Sequence, residues 1–167
     1  SSTPFALTYY KRIIPSHGFF LIGNPIGYSG TTPLDAVFAT SSFSVFNSNG
    51  GVSIATSSGI SATTTAIDRI AYGSQAVANG EGPSLPVDLG NDKSYERKAT
   101  TTSTNITMAS GGFDAAKGNG TDNNDNRLDN DGNATDAGDF IEQCGAGINP
   151  QNSNSPVEFP FGGGGGP

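Results

Sequence analysis

An acidic stretch from Thr121 to Phe140 is the part of the chain whose residue types best suit site chemistry. It holds six of the eleven aspartates and one basic residue, Arg127. Calcium binds carboxylate and carbonyl oxygens in a flexible shell of roughly six to eight ligands, so this stretch is a candidate calcium site. The candidate ligands are Asp122, Asp125, Asp129, Asp131 and Asp136. Asp and Asn also form loops, and a solvated acidic loop without an ion is the alternative that composition favours.

The regular EF-hand spacing does not fit this stretch. With Gly132 at the invariant glycine position, Asp129 and Asp131 fall on ligand positions. The first ligand position then falls on Arg127, a cation, and the closing carboxylate position falls on Gly138. The sequence therefore predicts either an irregular calcium site or none, and no other cofactor.

Candidates for catalysis are few. His17 is the single histidine and lies in the turn sequence "PSHG", away from any Ser and Asp pattern of a triad. Asp68 and Arg69 are neighbours in a predicted strand, so their side chains point to opposite faces. The glycine-rich segments lack the Gly-x-x-x-x-Gly-Lys-Ser/Thr pattern of phosphate-binding loops. We expect no catalytic residue and a protein that is not an enzyme.

The charge distribution bears on possible partners. The net charge is −7, and the eight basic residues form no stripe of the kind that neutralises phosphates, so nucleic acid is not expected. No segment approaches the roughly 20 apolar residues of a membrane span. The chain begins at Ser1 with neither Met nor a signal peptide, which predicts a processed product or a part of a longer chain.

Several features are typical of an extracellular protein. Three Asn-x-Thr sequons make Asn105, Asn119 and Asn133 candidate glycosylation sites. Cys144 is the single cysteine, which excludes a disulfide within the chain and a zinc cluster. Cys144 is either a small half-buried residue or the partner of a cysteine elsewhere.

The elements that must position these residues are predicted to be strands. Charged residues make up 14% of the chain, and Thr, Val, Ile and aromatic residues recur between Gly, Asn and Pro. The predicted strands are 5–14, 19–24, 35–38, 43–47, 51–56, 66–73 and 94–100. "NSNGG" predicts a hairpin turn between the fourth and fifth of these, and the apolar run 19–24 predicts a central strand covered on both faces. The charges of Glu96, Arg97 and Lys98 are predicted to protect an exposed sheet edge.

Four segments in this order resemble bacterial lamin-tail domains. They are Ile67–Gly73 ("IDRIAYG"), Ser94–Lys98 ("SYERK"), the "DNND" to "DF" interval Asp122–Phe140, and Asn149–Ser153 ("NPQNS"). The resemblance implies an all-β, immunoglobulin-like sandwich in residues 1–153, followed by a Pro- and Gly-rich tail or linker in 154–167. Members of that family begin with an earlier strand pair that this chain lacks. The resemblance thus implies that strands preceding Ser1, or a strand of another copy, complete the fold.

The tail offers a candidate strand for pairing between copies. Val157, Phe159 and Phe161 alternate with Glu158 and Pro160, as in an edge strand. We therefore expect a non-enzymatic extracellular structural module, a self-assembling subunit of a surface fibre that uses strand addition. Its partners would be copies of itself or other cell-surface proteins. The alternative is an accessory binding or adhesion domain of a larger secreted protein, with the tail as a linker.

Overall fold

A computed structural model describes residues 7–9, 14, 16–26, 28–38, 50–55, 66–73, 80–86, 93–129, 138–145 and 150–159. Strands predominate among the elements of these residues, and the helical segment is four residues long. The described residues fall into two compact units. One contains positions 1–44 and 149–159, and the other contains positions 45–148. The prediction of a β-rich chain is confirmed.

The first unit contains a small mixed sheet. Its strands are β1 (Leu7–Tyr9), β2 (Ile22–Gly23) and β3 (Ala36–Phe38), in the order β1-β3-β2. β3 pairs antiparallel with β1 and parallel with β2. The prediction of a central strand at 19–24 is wrong, because only two of its residues form a strand and that strand lies beside β3 at one side of the sheet. The central strand comes from the "DAVF" segment.

The C-terminal segment 150–159 also belongs to this first unit. Hydrogen bonds to the buried carboxylate of Asp35 hold it there. This carboxylate accepts hydrogen bonds from the backbone N–H of Leu21 at 2.9 Å and of Ser153 at 2.8 Å, and from the Ser153 hydroxyl. The side-chain amide of Asn152 donates to the carbonyl of Pro33 at 2.8 Å. Buried polar groups need such partners, so these bonds fix the segment against the residues that precede β3.

The second unit contains two antiparallel pairs. β4 (Gly50–Ala55) pairs with β5 (Ala66–Tyr72), and β6 (Lys93–Arg97) pairs with β7 (Phe140–Cys144). The strands predicted at 51–56, 66–73 and 94–100 are therefore present. The predicted hairpin partner of β4, residues 43–47, lies outside the described residues.

Two apolar clusters meet at β7. Phe140 packs with Tyr72 and Leu85, whereas the next residue, Ile141, packs with Ala99 and Met108. Successive strand residues point to opposite faces, so β7 contributes to both clusters. Two single bridges continue the ladders, from Tyr72 to Leu85 and from Leu128 to Phe140.

A short helix, α1 (Asn105–Met108), lies between β6 and β7 in the chain. Thr104 caps it, because its hydroxyl accepts from the Thr107 N–H while the Thr107 hydroxyl accepts from the Thr104 N–H. The sulfur of Met108 accepts from the N–H of Ala99 at 3.3 Å, which fixes the helix beside the end of β6. None of the helices found in the described ranges has the length and apolar character needed to cross a bilayer.

Candidate functional site

Arg97, the last residue of β6, organises a charged site in the second unit. Its guanidinium donates to both carboxylate oxygens of Asp68 on β5, at 2.8 and 2.9 Å. It also donates to the carbonyl of Thr121 at 3.2 Å and lies 3.3 Å from a carboxylate oxygen of Asp122. The guanidinium carbon lies 4.9 Å from the centre of the Phe140 ring, a cation–π arrangement. One cation therefore joins two strands, the acidic stretch and the apolar core.

Three carboxylates gather around this cation. The side chains of Asp68, Glu81 and Asp122 each offer an oxygen, and these oxygens lie within 4.8 Å of one another. Burial raises the pKa of Glu81, and the negative charges of Asp68 and Asp122 raise it further, whereas Arg97 opposes the rise. Like charges at this separation disfavour full ionisation. The cluster is suited to hold a proton, or a cation that competes with Arg97.

The backbone around Gly82 lies close to that of the acidic stretch, and this contact brings Glu81 into the cluster. Gly82 has a positive φ of 65°, and a Cβ atom at this position would lie 2.4 Å from the carbonyl oxygen of Asn124. The N–H of Asn126 donates to the carbonyl of Glu81, and its side-chain amide donates to the carbonyl of Arg69 on β5. Segment 80–86, β5 and the acidic stretch are thus held together by backbone contacts.

The three candidate calcium ligands that the structure describes each pair with a different basic side chain. Asp122 pairs with Arg97, Asp125 pairs with Arg127, and Asp129 pairs with Lys98. The Arg127 guanidinium also holds the pKa of Asp125 below its ordinary value. Among the residues that the structure describes, these three aspartates do not converge on one point, and the remaining two candidates, Asp131 and Asp136, lie outside them.

Part of the acidic stretch acts as a hydrogen-bonding scaffold. The buried carboxylate of Asp139 accepts from the backbone and side-chain N–H groups of Asn123 and from the N–H of Asp125. Asp122 and Asp125 each accept from the backbone N–H two residues further on. These are the local turns that Asp and Asn form in loops, so the described part of the stretch fits the alternative of a structured acidic loop.

The prediction of exposed edge charges is wrong for Arg97 and Lys98. The Arg97 side chain is 12% exposed and the Lys98 side chain is 2% exposed. The ammonium of Lys98 contacts the Asp129 carboxylate at 2.5 Å and donates to the carbonyl of Thr101 at 2.7 Å. Buried charges require partners, and here the carboxylate partners come from distant parts of the chain, Asp68 on β5 and Asp129 ahead of β7.

The other predicted residues are not members of this cluster. His17 is exposed with a positive φ of 55°, and its ring centre lies 5.0 Å from that of Phe159. Cys144 ends β7 and is exposed. Asn105 and Asn119 are exposed, as a glycosylation acceptor must be, and the third sequon residue lies outside the described residues.

The predicted donor strand is described only in part. Val157 and Phe159 are exposed, and the N–H of Glu158 donates to the carbonyl of His17 at 3.0 Å. Residues 157–159 form no strand in the structure, and Phe161 lies outside the described residues. The segment thus rests on its own first unit with two apolar side chains open to solvent.

No family model, no curated protein and no solved structure matches this chain. The residues of the chain itself must therefore carry any proposal about function.

Sequence reasoning missed the residues that the structure brings together. Asp68, Glu81 and Arg97 come from segments up to 29 residues apart, and none of them matches a spacing motif. One signal was available for Asp68, which is a carboxylate in the mostly apolar strand sequence "AIDRIAY", where Arg69 is the other charged residue. A charge in such a strand requires a partner, although the strand alone does not reveal which one.

Proposed function

We propose that this chain is a non-enzymatic extracellular structural module, an immunoglobulin-like sandwich of lamin-tail type whose copies associate by strand addition into a surface fibre. This proposal rests on the edge of β4 that faces away from β5. Within the described ranges β4 pairs on one side with β5, and no strand pairs with its other side. An open strand edge presents unpaired N–H and C=O groups to another chain.

The side chains of β4 favour such pairing. Val52 is 47% exposed and Ile54 is 54% exposed, so the strand offers apolar side chains as well as backbone groups. Edge strands of proteins that remain monomeric are commonly protected by charges or by proline, and the sequence of β4, "GGVSIA", has neither.

The C-terminal segment supplies a donor of matching chemistry. Val157 and Phe159 are apolar, exposed and two residues apart, which is the spacing of side chains on one face of a strand. Among the described residues, the backbone hydrogen bond that holds the end of this segment to its own unit runs from the Glu158 N–H to the carbonyl of His17. Exchange of this bond for a strand ladder on another copy would give a net gain of hydrogen bonds and buried apolar area.

The charged groups support a structural role rather than catalysis. Arg97, Lys98 and Arg127 each hold a carboxylate in an ion pair, and His17 packs against an aromatic ring. Groups that are fixed in this way stabilise loops. The proposal of an extracellular location rests on the exposed sequon residues Asn105 and Asn119 and on the low charge content of the chain.

Sedimentation velocity over a range of protein concentrations tests the proposal. The unmodified chain should form larger species as its concentration rises, and electron microscopy of these species should show filaments. Ile54→Lys places a charge on β4 at an exposed position and should reduce association strongly. Ile106→Lys is the matched control, because Ile106 is exposed on α1 and should leave association unchanged. A chain that remains monomeric at every concentration would refute the proposal.

A further inference from the structure

Lys98 and Asp129 place an amine and a carboxyl group in contact in the interior of the second unit. Their side chains are 2% and 1% exposed, and Nζ of the lysine lies 2.5 Å from Oδ2 of the aspartate. Charged groups lose their hydration in such a place, and an isolated ion pair recovers only part of that cost. Transfer of one proton from the ammonium to the carboxylate leaves an amine and a carboxylic acid in contact, which are the two reacting groups of an amide bond.

The backbone holds both residues in position. The N–H of Lys98 donates to the carbonyl of Asp139 at 2.8 Å, and the N–H of Asp129 donates to the carbonyl of Phe140 at 2.7 Å. Lys98 and Asp129 are therefore held beside each other by Asp139 and Phe140, two adjacent residues where β7 begins. Groups that are held in contact by a rigid frame react as if they were at very high concentration, because the entropic cost of bringing them together is met by folding.

We propose that Lys98 and Asp129 form an intramolecular amide bond. After the proton transfer, the lone pair of Nζ attacks the carboxyl carbon of Asp129, and a new C–N bond forms. The bond from that carbon to the protonated oxygen breaks, and a proton from Nζ passes to the departing hydroxyl. One molecule of water leaves, and neither an oxidant nor a cofactor is consumed.

The surroundings suit both the product and the departing water. The carbonyl of Thr101 accepts from Nζ at 2.7 Å, and the amide product retains one N–H that can continue to donate to it. A solvent-open pocket of about 210 Å³ lies beside the pair and is lined by Asn105, Asp129, Ile141 and Glu142. This pocket offers the water a route out while the lysine remains enclosed.

The bond would join the end of β6 to the loop that precedes β7. It would close a loop across 31 residues, and a covalent closure of this kind restricts the unfolded chain. The result would be a second unit that resists heat and pulling force. The chemistry depends only on the buried pair and would hold whether or not copies of the chain associate.

Intact-mass spectrometry of the denatured protein tests this inference. We expect the folded and then denatured chain to be lighter than its sequence mass by one water molecule, whereas Lys98→Arg and Asp129→Ala should each show their full sequence mass. Asp129→Asn should lose ammonia in place of water and give the same amide. Trypsin should leave a branched peptide that joins residues 98–117 to residues 128–167, because the amide blocks cleavage after Lys98.

The unmodified chain alone decides the outcome, so misfolding of a variant does not affect it. Circular dichroism before denaturation confirms that the measured chain was folded. A folded chain with its full sequence mass and ordinary tryptic cleavage after Lys98 would overturn the inference and leave the pair as an ion pair.

Discussion

The guanidinium of Arg97 donates hydrogen bonds to both carboxylate oxygens of Asp68, at 2.8 and 2.9 Å, and so connects the β6–β7 pair to the β4–β5 pair. The arginine side chain is 12% exposed and the aspartate side chain is 28% exposed, so water screens this contact only in part. A planar bidentate pair depends on the geometry of the guanidinium, which the ammonium of lysine does not reproduce. This pair therefore fixes the arrangement of the candidate site.

Arg97→Lys should lower the free energy of unfolding by about 1–2 kcal/mol, because it removes one of the two bonds to Asp68 and the contact with the Phe140 ring. Arg127→Lys is the matched control. The side chain of Arg127 is 50% exposed, so its pair with Asp125 should change stability by no more than about 0.5 kcal/mol. Urea denaturation of both variants measures the difference. Equal losses in the two variants would show that Arg97 has no special structural role.

Glu81→Gln should stabilise the protein near neutral pH. The pKa of Glu81 is raised in the folded chain, chiefly by burial and then by Asp68 and Asp122, so folding favours the protonated form. The stability that this group contributes is full below its ordinary pKa of 4.5 and is lost as the pH rises through the raised value. Glutamine resembles the protonated form and avoids that loss. The gain in unfolding free energy should disappear when denaturation is repeated below the ordinary pKa.

Asp125→Asn is the control for that experiment, because its effect on the free energy of unfolding near neutral pH should have the opposite sign. The Arg127 guanidinium lowers the pKa of Asp125, so the charged carboxylate stabilises the fold above its ordinary pKa of 3.8, and this stability is lost as the pH falls through the lowered value. The variant should be less stable than the unmodified chain near neutral pH, with a smaller difference in acid. The same pH trend in both variants would contradict the cause assigned to each shift.

Ser153→Ala should loosen the C-terminal segment of the first unit. Its hydroxyl donates to the buried Asp35 carboxylate, which also accepts from the N–H groups of Leu21 and of Ser153 itself. Loss of a bond to a charged group costs roughly 1.5–3 kcal/mol. Hydrogen exchange measured by mass spectrometry should become faster in residues 150–159. Ser155→Ala is the control, because the Ser155 hydroxyl accepts a bond within its own turn, from Asn152. Equal acceleration in both variants would argue against anchoring by Asp35.

Removal of calcium with a chelator should leave the melting temperature unchanged. Arg97, Lys98 and Arg127 already neutralise the described aspartates of the predicted calcium set. Differential scanning calorimetry with calcium and with chelator compares the two conditions. A melting temperature that falls in chelator would contradict this expectation, and two variants would then locate the ion. Loss of the effect in Glu81→Gln would place calcium at the cluster beside Arg97, and loss in Asp131→Asn would place it in the originally predicted set.

Local patterns predicted much of the strand content. The alternation in "GVSIA" and "AIDRIAY" corresponds to β4 and β5. The segment 19–24 shows the limit of such patterns. It is nearly all apolar, yet only Ile22 and Gly23 form a strand, and the Asp35 carboxylate takes the N–H of Leu21 instead of a neighbouring strand.

The sequence by itself determined that the chain is rich in short strands, because side chains alternate between strand faces with a period of two, and neighbouring residues alone encode that period. Only the tertiary structure decided which charges meet. Lys98 contacts Asp129 across 31 residues, and Arg97 contacts Asp68 across 29. A charge that leaves water must find a partner wherever the folded backbone brings one near, and that distance is set by strand pairing and loop closure rather than by spacing along the chain.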